Sequence, residues 1–67
     1  MEPGSRVLLI DDVLATGGTL KAAILLIQDL GAAVVQAVVL LEIPELAGRA
    51  NIASLDSAPP VFSLAQA

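Results

Sequence analysis

The chain reads as α/β: a βαβ unit of a parallel sheet followed by a short C-terminal strand. Two runs of mostly branched apolar residues, Val7–Ile10 and Val34–Leu41, have the continuous character of strands buried within a sheet. Between them Leu20, Ala23, Ile24, Ile27 and Leu30 recur at the i, i+3, i+4, i+7, i+10 spacing of an amphipathic helix. The apolar residues make up 57% of the chain, and they are almost all Ala, Val, Leu and Ile, with Phe62 the one aromatic. That mix suits an α/β interior better than a β-sandwich or a base-stacking surface.

In chain order, Met1–Ser5 is a turn-like lead-in carrying Pro3 and Gly4. The first strand, Val7–Ile10, runs into the loop "DDVLATGG". The helix is expected from about Thr19, capped by Thr16 or Gly17, and Gly31 stands where a left-handed residue would stop it. Strand Val34–Leu41 completes the βαβ unit, whose crossover is expected to be right-handed. Beyond Glu42 a helical turn is expected around Leu46–Ile52; Pro59 and Pro60 then lead into "VFSL", Val61–Leu64, a candidate third strand.

Strands that are apolar on successive residues are covered on both faces in parallel sheets. A single substantial helix covers one face only. The second face therefore requires further protein, so residues 1–67 are expected to be a fragment of a larger α/β domain or to need a partner. Sixty-seven residues on their own would bury only roughly 60% of the surface exposed on unfolding, so the isolated chain is expected to be poorly folded and inactive.

Composition removes several kinds of function. Three basic residues stand against seven acidic ones, a net charge of −4, which leaves no footprint for nucleic acid. With no cysteine and no histidine, thiolate or imidazole metal sites and His-based triads are absent. The most apolar window, Leu20–Leu41, is broken by Lys21, Gln28, Asp29, Gly31 and Gln36, so no membrane span is expected.

The chemistry is concentrated in "VLLIDDVLATGGTL", Val7–Leu20. Ligands of open α/β sheets sit beyond the carboxyl ends of the strands. Asp11 and Asp12 fall at that edge, and the loop after them ends on a helix N-terminus, which favours anions. Gly17 and Gly18 admit a phosphate close to the backbone and allow the positive φ that turns successive N–H groups inward. Thr16 and Thr19 add hydroxyl donors. The two carboxylates would repel that phosphate. As acceptors they suit a vicinal diol or a hydrated Mg²⁺, and they can stabilise positive charge developing on a sugar ring. A sugar phosphate satisfies both halves.

"VLLIDDVLATGGT" resembles the phosphoribosyl-pyrophosphate motif of the type I phosphoribosyltransferase family at essentially every position. Downstream, "GGTLKAA", the Gly after the helix, "LLEIPELAGR" with Glu42, Gly48 and Arg49, and "VFSL" resemble the C-terminal third of the family's adenine-specific branch. Pro44 and the run "ANIASLDSAPP" depart from its pattern. The resemblance implies a partial type I phosphoribosyltransferase fold and a role in purine salvage: adenine plus phosphoribosyl pyrophosphate gives AMP and pyrophosphate. It implies Asp11 and Asp12 as catalytic contacts to the ribose. Ala15, Thr16, Gly17, Gly18 and Thr19 are implied as the 5′-phosphate site. Mg²⁺ would be carried mainly by the phosphoribosyl pyrophosphate rather than by direct protein ligands. A cytoplasmic homodimer is implied for the full-length form. Base-selecting residues, the pyrophosphate loop and the mobile catalytic loop of such enzymes are outside this chain.

Alternatives are a phosphoribosyltransferase of another base specificity, a non-catalytic truncated fragment, and a piece of a response-regulator receiver using the acid pair for Mg²⁺. The receiver reading lacks an Asp after the second strand, where Glu42 stands, and leaves the Gly-Gly cradle without a task. Elsewhere, Lys21 reads as a solvated first-turn lysine and Arg49 as a surface or interface residue. Glu42 either faces the site or accepts structural hydrogen bonds, Leu25 and Leu26 lie off the main helical stripe, and Phe62 reads as core.

Overall fold

A computed structural model describes residues 4–67; the calls on Met1, Glu2 and Pro3 lie outside the described residues. The elements are β1 (Arg6–Leu14), α1 (Gly18–Asp29), β2 (Ala33–Glu42), a 3₁₀ turn at Pro44–Leu46, α2 (Gly48–Ala53) and β3 (Val61–Gln66). The strands form one parallel sheet in the order β1-β2-β3. Both connections thus step in the same direction across the sheet, and crossovers of one hand then place their helices on one face. They do: Leu20 and Ile24 of α1 and Ile52 of α2 share a single buried cluster with Leu14, Val34, Ala37 and Val39 of the sheet.

β1 is longer than its apolar run. It continues through Asp11 and Asp12 to Leu14, because β2 offers ladder partners that far: Asp11 faces Val39, Val13 faces Leu41 and Leu14 faces Glu42. An exposed position such as Asp12 adds no burial cost to that extension. One register shift, between Val7 and Leu8, interrupts the ladder. β3 is confirmed and reaches Gln66, with Val61 opposite Ala37 and Phe62 opposite Val38.

α1 ends as its sequence indicates. Gly31 takes φ +87°, its N–H donates to the Gln28 carbonyl at 2.9 Å, and the Ala32 N–H donates to Ile27 at 3.2 Å. Those two bonds are the Schellman pairing, which uses carbonyls the helix would otherwise leave free. Leu25 and Leu26, expected to pack through a wide buried face or against another subunit, are exposed, so the buried face of α1 does not reach them.

Among the described residues nothing covers the opposite face of the sheet. Leu8, Ile10, Leu40, Phe62 and Leu64 all project large apolar side chains there, Ile10 being 65% and Leu64 63% exposed. Ile10, Val38 and Phe62 form one row across the three strands. Phe62 is therefore not core: period-two alternation turns Val61 and Ser63 toward the helices and sends Phe62 outward. The envelope of the chain, 36 × 20 × 15 Å, is that of two layers where the strands call for three. Among the described residues no helix is long and apolar enough to cross a membrane.

Candidate functional site

The β1–α1 connection is three residues long, Ala15 to Gly17. Gly17 is its pivot: buried, at φ +88° and ψ −3°, it is the residue immediately before the helix. An L side chain is disfavoured at that backbone conformation, and a β-carbon there would also lie 2.8 Å from the Gly48 carbonyl oxygen. No side chain caps α1. The nearest approach is the Thr16 hydroxyl, 3.5 Å from the Gly18 nitrogen. The helical ladder opens with the Lys21 N–H donating to the Gly17 carbonyl at 2.8 Å, so the Gly18, Thr19 and Leu20 amides precede it. A left-handed residue followed by helical ones gathers such N–H groups around a concavity suited to an anion.

A hollow of about 60 Å³ occupies this turn, lined by Val13 and by every residue from Ala15 to Leu20. The fold thus brings together all five residues expected to hold a phosphate. Larger hollows lie elsewhere among the described residues, one of about 460 Å³ between α2 and the start of β3 and another of about 330 Å³ beside Gln28 and Asp56. The first offers one charged group, Arg49, which is already committed to Glu42. Size alone does not mark the site here.

Asp11 and Asp12 stand inside the strand, a few residues before the hollow, the first half-buried and the second exposed. Each braces itself on the next amide: the Asp12 N–H donates to Asp11 Oδ1 at 2.8 Å and the Val13 N–H to Asp12 Oδ1 at 2.9 Å. One oxygen of each carboxylate is thereby oriented by the backbone. Two hard oxygen donors fit sugar hydroxyls or the water shell of a divalent cation. Among the described residues no group of three or more acidic side chains converges into a metal cage.

Glu42 has a structural task. Buried at the end of β2, it accepts from Arg49 Nη2 at 2.7 Å and Nε at 3.1 Å, from Ser63 Oγ at 3.0 Å and from Gln66 Nε2 at 3.2 Å. The Arg49 hydrogen bonds, aided by those of Ser63 and Gln66, outweigh burial and hold its carboxyl at about 2. Arg49 Nη1 also donates to the Val61 carbonyl, so the cluster fastens α2 to β2 and β3.

Two contacts escaped sequence reasoning, one of them at Gly48, which the family resemblance named without a role. Gly48 packs its backbone on the loop, and a β-carbon there would overlap the Ala15 carbonyl oxygen. Asn51 Nδ2 donates to the Thr16 carbonyl at 3.0 Å, while its Oδ1 lies 3.4 Å from Lys21 Nζ. Lys21 is therefore half-buried against α2 rather than free in solvent. No spacing rule links Asn51 to a loop 35 residues earlier.

A parallel strand ending in two acids, followed by a glycine-pivoted turn at a helix start, is the arrangement of α/β proteins that receive an anion at a strand-to-helix junction. Residues 1–59 match the phosphoribosyl transferase domain family, and the chain belongs to that family. It is 47% identical over 66 residues to the adenine phosphoribosyltransferase of Methylobacterium nodulans, covering 98% of this chain and 35% of that protein. Adenine phosphoribosyltransferase 1 of Triticum aestivum is 48% identical over 67 residues, 100% of this chain and 35% of its own length. The chain thus spans about a third of the length of the curated relatives it matches. The crystal structure of the Rhodothermus marinus adenine phosphoribosyltransferase superposes with a TM-score of 0.89 at 43% identity, over 100% of this chain and 36% of that one. That of the Trypanosoma brucei enzyme, in complex with AMP, pyrophosphate and ribose-5-phosphate, gives 0.86 at 33% identity, over 98% and 30%. The match leaves the receiver reading without support.

Proposed function

We propose that this chain is the ribose-5-phosphate-binding segment of an adenine phosphoribosyltransferase acting in purine salvage. In that reaction a ring nitrogen of adenine bonds to C1 of the ribose as the bond from C1 to the pyrophosphate oxygen breaks, giving AMP and pyrophosphate, and the proton of that nitrogen is released. The observation that carries the reading is the pairing, along one strand-to-helix segment, of the hollow at Ala15–Thr19 with backbone-oriented carboxylates at Asp11 and Asp12 near the end of β1. The amides and hydroxyls of Ala15, Thr16, Gly17, Gly18 and Thr19 hold the 5′-phosphate; Asp11 and Asp12 accept from the ribose hydroxyls. As the pyrophosphate leaves, the ring acquires positive charge, and carboxylates already in place lower the cost of that charge. Mg²⁺, brought by phosphoribosyl pyrophosphate, supplies charge neutralisation on the leaving group, with the acid pair suited to its water shell. Adenine as the base is supported by the names of the relatives. A cytoplasmic homodimer is the expected setting of the full-length form.

The test uses a chimera in which these 67 residues replace the matched 36% of the Rhodothermus marinus enzyme. Crystals soaked with ribose 5-phosphate are expected to show the phosphate on the Thr16–Thr19 amides and the hydroxyls toward Asp11 and Asp12. A sugar phosphate bound elsewhere, with this corner empty, overturns the reading.

A further inference from the structure

The loop's own residues hold it only weakly. α1 has no side-chain cap, and the Thr16 hydroxyl is at the limit of hydrogen-bonding distance from Gly18. What fixes the turn comes from α2. The Gly48 backbone stands against Ala15 and Gly17 so closely that neither glycine admits a β-carbon. From the next turn of the same helix, Asn51 Nδ2 donates to the Thr16 carbonyl, and the Asn51 β-carbon lies beneath Gly17. A peptide group has its N–H opposite its C=O, so fixing the Thr16 carbonyl on α2 also fixes the Gly17 N–H on the far side. α2 is in turn locked to β2 and β3 through Arg49 and Glu42.

We infer that Asn51 is a positioning residue for the 5′-phosphate: it anchors the Thr16 carbonyl on α2 and so presets the turn that presents the Gly17–Thr19 amides. This rests on the phosphate assignment above. Asn51 also ties down Lys21, the basic residue of the first helical turn. The two bonds use opposite ends of the amide, so only a side chain that both donates and accepts can make both.

The test compares Asn51→Gln, Asn51→Ala and Asn51→Asp in the chimera. Ala removes both bonds; Asp keeps an acceptor for Lys21 but cannot donate to Thr16; Gln keeps the donor on a longer arm. The expected result is a rise in KM for phosphoribosyl pyrophosphate, and in Kd for ribose 5-phosphate, of roughly three- to tenfold for Ala. Gln should be milder and Asp at least as severe as Ala, with KM for adenine and the melting temperature of the complex-free protein nearly constant. Equal affinities across the series overturn the inference, as does a loss that moves both substrates together in step with the melting temperature. Amide shifts of Gly17 and Gly18 in the ¹⁵N-labelled chimera, titrated with ribose 5-phosphate, give the same ordering without reliance on turnover. If the parent chimera melts cooperatively yet binds neither compound, the phosphate assignment itself fails, which separates the two claims.

Discussion

Gly17 and Gly48 meet backbone to backbone: a β-carbon on the first would lie 2.8 Å from the carbonyl oxygen of the second. One closes the β1–α1 connection and the other begins α2, thirty-odd residues downstream, so the shape of the turn depends on a contact between two connections of the sheet. The consequences can be measured.

Gly48→Ala is expected to be the more informative glycine substitution. Its methyl group meets the Ala15 carbonyl and the Leu14 side chain, so either the loop or α2 must shift. Overpacking of this kind costs about 1–3 kcal/mol. The melting temperature of the chimera should fall and its affinity for ribose 5-phosphate with it. Calorimetry and ligand titration check this; wild-type values for both would show that the contact is slack.

Glu42 links stability to pH. Its carboxyl is held at about 2 in the folded chain against an ordinary value of 4.5, chiefly by the Arg49 hydrogen bonds. The unfolded chain takes up the proton first, so this contribution is complete above 4.5 and is lost as the pH falls toward 2. Glu42→Gln should flatten that part of the stability curve and lower stability at pH 7. Thermal melts at several pH values compare the two slopes directly.

Replacing Asp11 and Asp12 together by Asn retains hydrogen-bonding capacity and removes the charge. If the pair stabilises positive charge on the ribose, kcat of the chimera should fall about a hundredfold or more while KM for adenine moves little. Steady-state kinetics with both substrates varied decides the matter, and unchanged turnover would remove the catalytic role.

The bare sheet face should govern how the isolated chain behaves. Ile10, Phe62 and Leu64 lie more than half exposed on it. Large contiguous apolar surface favours association, so the purified 67-residue chain should self-associate, bind a hydrophobic dye and make no AMP. Ile10→Thr with Phe62→Thr should reduce dye binding and light scattering while leaving the helical signal in place. Robust AMP synthesis by the isolated chain would contradict the need for further protein over that face.

Local sequence determined the strands, the main helix, its Gly31 stop, the turn before that helix and the apolar character of both sheet faces, because periodicity, backbone freedom and apolar runs act over neighbouring residues. The family motif lay within thirteen consecutive residues and was legible for the same reason. Only the tertiary structure decided that β1 runs on through the acids, that Phe62 faces outward, that Glu42 belongs to Arg49, and that Gly48 and Asn51 brace the loop. These depend on which segments the sheet order brings together. A hydrogen bond between residues 16 and 51 leaves no periodic trace in the chain; it exists because two same-handed crossovers stack their helices on one face.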